Sequence, residues 1–226
     1  MMTMGALFDF SHTVMGDVLQ KCRHPWEALG QIGIWIREVG SRLPQEEYFY
    51  ADEGVWIAKS AVISPLATLI GPCIIGRETE VRSGALVRGN VAVGDGAVVG
   101  NSTELKNAVL FDRVQVPHFN YVGDSILGLG AHLGAGAIVS NVRSDRGEIV
   151  VRQGKNELPT GRKKVGAMVG DGVEVGCNAV LCPGCVLGRN CVIYPLSLVR
   201  GTVPACHIYK SAKKIVPRGG FTENKG

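Results

Sequence analysis

Residues 57–75 read IAKSAVISPLATLIGPCII, with Ile57, Ile63, Leu69 and Ile75 six positions apart. The series continues through Val81, Val87, Val93, Val99, Leu105, Phe111 and Pro117. Four positions after each comes a mostly small residue: Ala61, Ala67, Cys73, Thr79, Ala85, Val91, Ala97, Thr103 and Val109. A second run keeps the rule in a shifted frame, through Leu127, Leu133 and Val139, then Val169, Val175, Leu181, Leu187, Ile193 and Val199. A fixed six-residue period of this kind predicts a parallel β-helix, an all-β solenoid.

Strand side chains alternate, so the aliphatic residue and the small one four positions later lie on the same side of an extended segment and point inward. Gly, Asp, Asn and Pro follow the aliphatic, as in Val93-Gly-Asp-Gly and Leu181-Cys-Pro-Gly, which is corner chemistry. The windows lack the three-and-four spacing of an amphipathic helix. Sandwich and barrel strands recur at wider, less regular intervals.

The chain has 226 residues, 24 basic against 20 acidic, a net charge of +4 and 46% hydrophobic residues. That balance argues against a nucleic-acid partner. The apolar residues are spread among the hexads, with no window of membrane-spanning length and no secretory leader at the start. A cytoplasmic location is expected. Seven cysteines, an odd number, fit a reducing compartment. Cys73, Cys185 and Cys191 occupy small inward positions, so Cys182-Pro-Gly-Cys185 reads as a hexad corner rather than a redox or zinc motif.

Three regions follow: a helical segment over 1–50, the solenoid over 51–208 with an excursion at 141–164, and a tail over 209–226. In the first, Pro25 suits the opening turn of a helix carrying Leu29, Ile32, Ile36, Val39 and Leu43 at helical spacing up to Pro44. Its apolar face, with Trp26 and Trp35, is expected to pack on the first coil or on a neighbouring subunit. The repeat breaks twice. The frame slips by four residues after Tyr121, and between Asn141 and Lys164 a charged stretch, NVRSDRGEIVVRQGKNELPTGRKK, leaves the repeat and returns in the same frame. Loops on rigid scaffolds are where chemistry concentrates.

Between these breaks, Glu104-Leu-Lys106, His118-Phe-Asn-Tyr121-Val-Gly-Asp124 and Gly134-Ala-Gly136 resemble the acetyltransferase domain of bifunctional N-acetylglucosamine-1-phosphate uridyltransferases. They are closer still to the β-helix domain of archaeal-type sugar-1-phosphate nucleotidylyltransferases. The likeness extends through Asn141, the insertion and Thr160-Gly-Arg162-Lys163-Lys164, and spans roughly residues 57–204. It implies a left-handed β-helix of triangular section, a homotrimer, and N-acetylation of an amino-sugar 1-phosphate by acetyl-CoA without a metal. The Gly-rich phosphate loop of the nucleotidyl-transferring half has no counterpart in this sequence, so pyrophosphorylase activity is not expected.

Arg88 and Lys106 each follow an inward aliphatic and are eighteen residues apart, so three hexads per coil stack them on the outer face. Two stacked cations without a carboxylate partner form a phosphate site, although solvated surface charge is the ordinary fate of such residues. His118 falls on a different face and suits the role of general base for amine attack on a thioester. By resemblance, Tyr121, His132 and Asn141 contact the sugar, and Ala135, Gly136 and Cys177 line the acetyl-CoA site. The basic cluster Arg162, Lys163 and Lys164 fits contact with a sugar phosphate or with the phosphates of coenzyme A, and equally a solvated charge run. His132 stands where the bifunctional enzymes carry a substrate-binding Asn.

Two other functions fit parts of the pattern. One is a non-catalytic β-helix partner, or a truncated homologue, of a sugar-1-phosphate nucleotidyltransferase. The other is a zinc-dependent carbonic anhydrase on the same scaffold, which needs a closely spaced histidine pair; His12, His24, His118, His132 and His207 supply none.

Overall fold

The computed structural model describes residues 2–219 and is a parallel β-solenoid. Three sets of strands recur along the chain, one on each face of the coil. Face one begins with Val55–Ala58, Cys73–Ile75 and Val91–Val93, face two with Val62–Ile63, Glu80–Val81 and Val98–Asn101, and face three with Thr68–Ile70 and Leu86–Arg88. Within each face successive strands pair in parallel, and the inward aliphatics stack: Ile57 on Ile75 on Val93, Val81 on Val99, Leu69 on Val87. Nearly all are fully buried, so the core is a continuous column of Val, Leu and Ile, each worth about 1.5–3 kcal/mol on burial.

The frame departs from the sequence expectation at Asn107. Leu110, not Phe111, pairs with Val93, and Val116, not Pro117, pairs with Val99. The four-residue slip is two separate one-residue deletions, Leu105 to Leu110 and Val122 to Leu127, at the same corner of consecutive coils. The ordinary corner there turns on two left-handed residues, Gly89 (φ 77°) and Asn90 (φ 54°). The shortened ones use one each, Asn107 (φ 50°) and Asp124 (φ 49°), residue types that tolerate this conformation. Strands Glu104–Leu110 and Tyr121–Leu127 therefore run unbroken from face three into face one. Phe111 is buried for another reason: its ring packs on Phe8, with centroids 5.3 Å apart.

Phe8 belongs to an N-terminal segment that covers face one, as the apolar helical face predicts. Helix Ile32–Gly40 lies on strands Cys73–Ile75, Val91–Val93 and Glu104–Leu110, burying Ile32 and Ile36. The expected single helix from Pro25 is instead two, Pro25–Ala28 and Ile32–Gly40. The chain turns between them where Asn107 Nδ2 donates to the Leu29 carbonyl and the Arg162 guanidinium lies against Gly30. Trp26 is buried and Trp35 partly so, which makes both packing residues.

The charged insertion is an antiparallel hairpin, Ile149–Gln153 with Asn156–Arg162, folded over the last strands of face one. Its ends meet at a bridge between Val142 and Lys164. The coil then resumes with Val169 on Leu127. The segment from residue 209, expected as a tail, is ordered: His207–Ser211 continues face two and Lys214–Pro217 folds back antiparallel on it, with Tyr209 buried. The rest of that tail, 220–226, lies outside the described residues. At the other end, Tyr48–Tyr50 pairs antiparallel with Val55–Ala58.

The two readings of the frame differ at one measurable pair. Val116→Asp places an unpartnered carboxylate in the column and should abolish cooperative thermal unfolding, whereas Pro117→Ser should move the midpoint by only a few degrees.

Candidate active site

At the corner from face two into face three the coils turn on Ser102, Phe119, Gly136, Asn178 and Leu196, all with positive φ. The amides of Phe119, Gly136, Asn178 and Leu196 donate to the carbonyls of Asn101, His118, Ala135 and Cys177 at 2.9–3.0 Å. That ladder stacks His118, Ala135 and Cys177 in one column and sets Gly136 in the adjoining one, the base and the acyl-donor residues named from sequence. The His118 side chain is exposed and its imidazole makes no hydrogen bond or ion pair among the described residues. A Cβ at Gly136 would fall against the Asn178 side-chain amide, so a larger residue there would require that amide to turn away.

Beneath the column sits Asn120, 2% exposed and in the inward series, which the sequence reading passed over. Its Oδ1 accepts from the His118 amide at 3.2 Å, and its Nδ2 donates to the carbonyls of Gly134 and Ala137 at 2.9 and 3.1 Å. A polar residue at an inward position was the available signal. The misplaced frame hid it.

Face three carries the second group. The pairing of Leu105 with Val87 stacks Lys106 beside Arg88, as the spacing predicts. The premise that they lack carboxylate partners is corrected by the structure. Arg88 lies 3.1 Å from Glu104 Oε1, and Lys106 Nζ lies 3.1 Å from Asp124 Oδ1. The Arg88 side chain is half exposed, which leaves its guanidinium within reach of a ligand anion, while Glu104 Oε1 is buried without a hydrogen-bond partner among the described residues.

Asp124 is different, being almost fully buried. It accepts from Lys106, from Asn107 Nδ2 at 2.8 Å and from Asn141 Nδ2, and so ties the shortened corners to the start of the insertion. Asn141 Nδ2 also reaches the Tyr121 hydroxyl at 3.3 Å. Burial pushes the Tyr121 phenol upward, an effect the Asn141 contact opposes and the neighbouring Glu104 and Asp124 reinforce, so the phenol stays protonated. Gly123 gives this cluster its room, since a Cβ there would meet the Tyr121 hydroxyl and the Asn141 amide. Lys164 is exposed beside Val165, whose amide donates to the Asn141 carbonyl, and Arg162 rests on the Leu29–Gln31 turn. His132 joins neither group: on face two its Nδ1 lies 2.8 Å from Glu174 Oε2.

The cysteines separate by environment. Burial pushes the Cys73 and Cys185 thiols up to about 12 and Cys191 up to about 11, keeping them protonated. Cys185 Sγ contacts the Val199 carbonyl. Among the described residues no three His, Cys, Asp or Glu side chains form a metal-binding group, and no helix is long and apolar enough to cross a membrane.

The bacterial transferase hexapeptide family, six repeats, matches residues 166–201, inside the solenoid. The chain is a hexapeptide-repeat protein. Residues 69–153 match a second family, the GMPPB C-terminal domain, so the two groups of side chains fall mostly within it. The bifunctional protein GlmU of Methanococcus maripaludis is 30% identical over 198 residues, covering 86% of this hexapeptide-repeat chain and 48% of that protein. The bifunctional sugar-1-phosphate nucleotidylyltransferase/acetyltransferase of Sulfurisphaera tokodaii is 34% identical over 112 residues, 50% of this chain and 28% of that one. The chain thus spans about half the length of the first relative and less of the second. Among solved structures, the acetyltransferase domain of PglB from Neisseria gonorrhoeae aligns over 72% of this chain and 57% of its own, at 14% identity and a TM-score of 0.33.

Two measurements probe the site directly. Asp124→Ala strands Lys106 and two amides at a buried corner and should lower stability by about 3–5 kcal/mol in urea titrations, with Asp124→Asn losing less. Alkylation of the native protein with iodoacetamide should label exposed Cys177 and spare Cys73, Cys185 and Cys191, read by peptide mass spectrometry.

Proposed function

We propose that this chain is an acetyl-CoA-dependent N-acetyltransferase of an amino-sugar 1-phosphate, glucosamine or galactosamine 1-phosphate. The carrying observation is the column of His118, Ala135 and Cys177, with Gly136 next to it, at the corner that leads into face three, where Arg88 and Lys106 stack. The acyl thioester lies along the column, where the Gly134–Gly136 backbone allows close approach. The sugar phosphate lies on face three, its phosphate on Arg88 and Lys106 and its hydroxyls near Tyr121 and Asn141.

The amine nitrogen attacks the thioester carbonyl directly as His118 takes its proton. Collapse of the tetrahedral intermediate expels the coenzyme A thiolate, which the protonated imidazole can neutralise. The Ala135 N–H of the glycine corner is suited to stabilise the intermediate's oxyanion, the Gly134 and Gly136 amides being engaged with the Val175 and His118 carbonyls. An imidazole with no partner among the described residues is available for this exchange, and such bases contribute about 10²–10⁴-fold. The cations and His118 sit on different faces, so a homotrimer, in which adjacent copies close the cleft, is part of the proposal. Arg162 and Lys164 belong to the same reading as phosphate contacts. His132, held by Glu174, is left outside it.

One observation favours the non-catalytic reading, that of a solenoid partner of a separate nucleotidyltransferase: both cations already have carboxylate partners. Thiol release from acetyl-CoA decides between them, measured with glucosamine 1-phosphate and galactosamine 1-phosphate. Turnover should fall at least about 100-fold in His118→Ala, and Arg88→Ala should raise the sugar-phosphate KM. A folded protein with no turnover on either sugar would leave the partner reading standing.

A further inference from the structure

We infer that Asn120 is a positioning residue that fixes His118 relative to the acyl-donor corner; this rests on His118 acting as the base. The same inward position in the stacked coils is Ala85, Thr103, Ala137 and Ala179, all buried. The solenoid therefore closes this corner with an apolar or hydroxyl side chain, and folding does not call for an amide here. An amide in an apolar column must have its donors and acceptor met, and Asn120 meets all three. Two N–H groups point at the Gly134 and Ala137 carbonyls, and the oxygen takes the His118 amide. The reverse orientation would set an oxygen against two carbonyls, so the network fixes the assignment.

These bonds have a direction of consequence. The His118 backbone is held from one side of the amide, and both ends of the Gly134–Ala137 turn from the other. The backbone of Asn120 adds a third tie, its N–H donating to Thr103 Oγ1 at 3.3 Å in the preceding coil. Among the described residues the imidazole itself has no partner, so its reach toward the donor corner is set by where its backbone sits. Asn120 is the side chain that joins those two backbones, from beneath and away from any substrate. It touches no reacting atom.

The test is a cycle of His118→Ala, Asn120→Ala and the double variant, with thermal midpoints confirming folding. Asn120→Ala should lower kcat by about 10- to 100-fold while leaving the sugar-phosphate KM unchanged, because the phosphate contacts lie on face three. The double variant should lose no more than His118→Ala alone, a non-additivity that a general loss of stability would not produce. In the unsubstituted protein the His118 amide should exchange slowly with deuterium, and quickly in Asn120→Ala. Full kcat in Asn120→Ala beside an impaired His118→Ala, or additive losses, would overturn the positioning role alone. Full kcat in His118→Ala would overturn the base assignment and this role with it. If Asn120→Ala does not fold, Asn120→Thr, which copies Thr103 one coil earlier, carries the same test.

Discussion

Every feature of this molecule depends on the backbone ladder between coils. Each strand donates and accepts with the strand about 4.8 Å below it, and that spacing leaves no freedom in where the next turn of chain is placed. Side chains separated by one coil are thereby stacked, whichever residues they are. Inward columns become core and outward columns become rows of functional groups. Arg88 above Lys106, and His118 above Ala135 above Cys177, follow from that one constraint.

The departures from the period are as informative as the period. Removing one residue from the corner in two consecutive coils replaces a two-residue left-handed turn by a single Asn107 or Asp124. The backbone then passes straight from one face to the next, and the side chain at the corner is drawn into partial or full burial. A carboxylate there needs several donors to offset its desolvation, and Lys106, Asn107 and Asn141 supply them. The same corner emits the insertion one coil later. The polar cluster, the hairpin and the docking point of the N-terminal turn thus meet at one edge.

Much of this was legible in the sequence. The inward aliphatics from Ile57 to Leu105 and from Leu127 onward are where the period puts them, and the excursion after Asn141 was plain from its charge. The slip was misplaced because Phe111 and Pro117 imitate hydrophobic hexad positions. Phe111 is apolar for the sake of Phe8, in a segment whose contact no local period can announce. The carboxylates paired with Arg88 and Lys106 were hidden for a related reason. Glu104 reaches across from the same face, and Asp124, although eighteen residues from Lys106, meets it from one position past the strand register, which stacks Gly123 on Lys106 at the shortened corner. The helix from Pro25 was overextended because its break is made by Asn107 and Arg162, both remote in sequence.

The two antiparallel strands at the ends deserve a different reading from the parallel ones between them. A stack of identical parallel coils has no intrinsic last member, since its terminal edges offer the same unpaired amides and carbonyls that recruited the coil before. Tyr48–Tyr50 and Lys214–Pro217 run the opposite way and occupy such edges, one on face one and one on face two. A reversed strand breaks the register that another coil would need. These short pieces close one of the three edges at each end of the solenoid to a further coil.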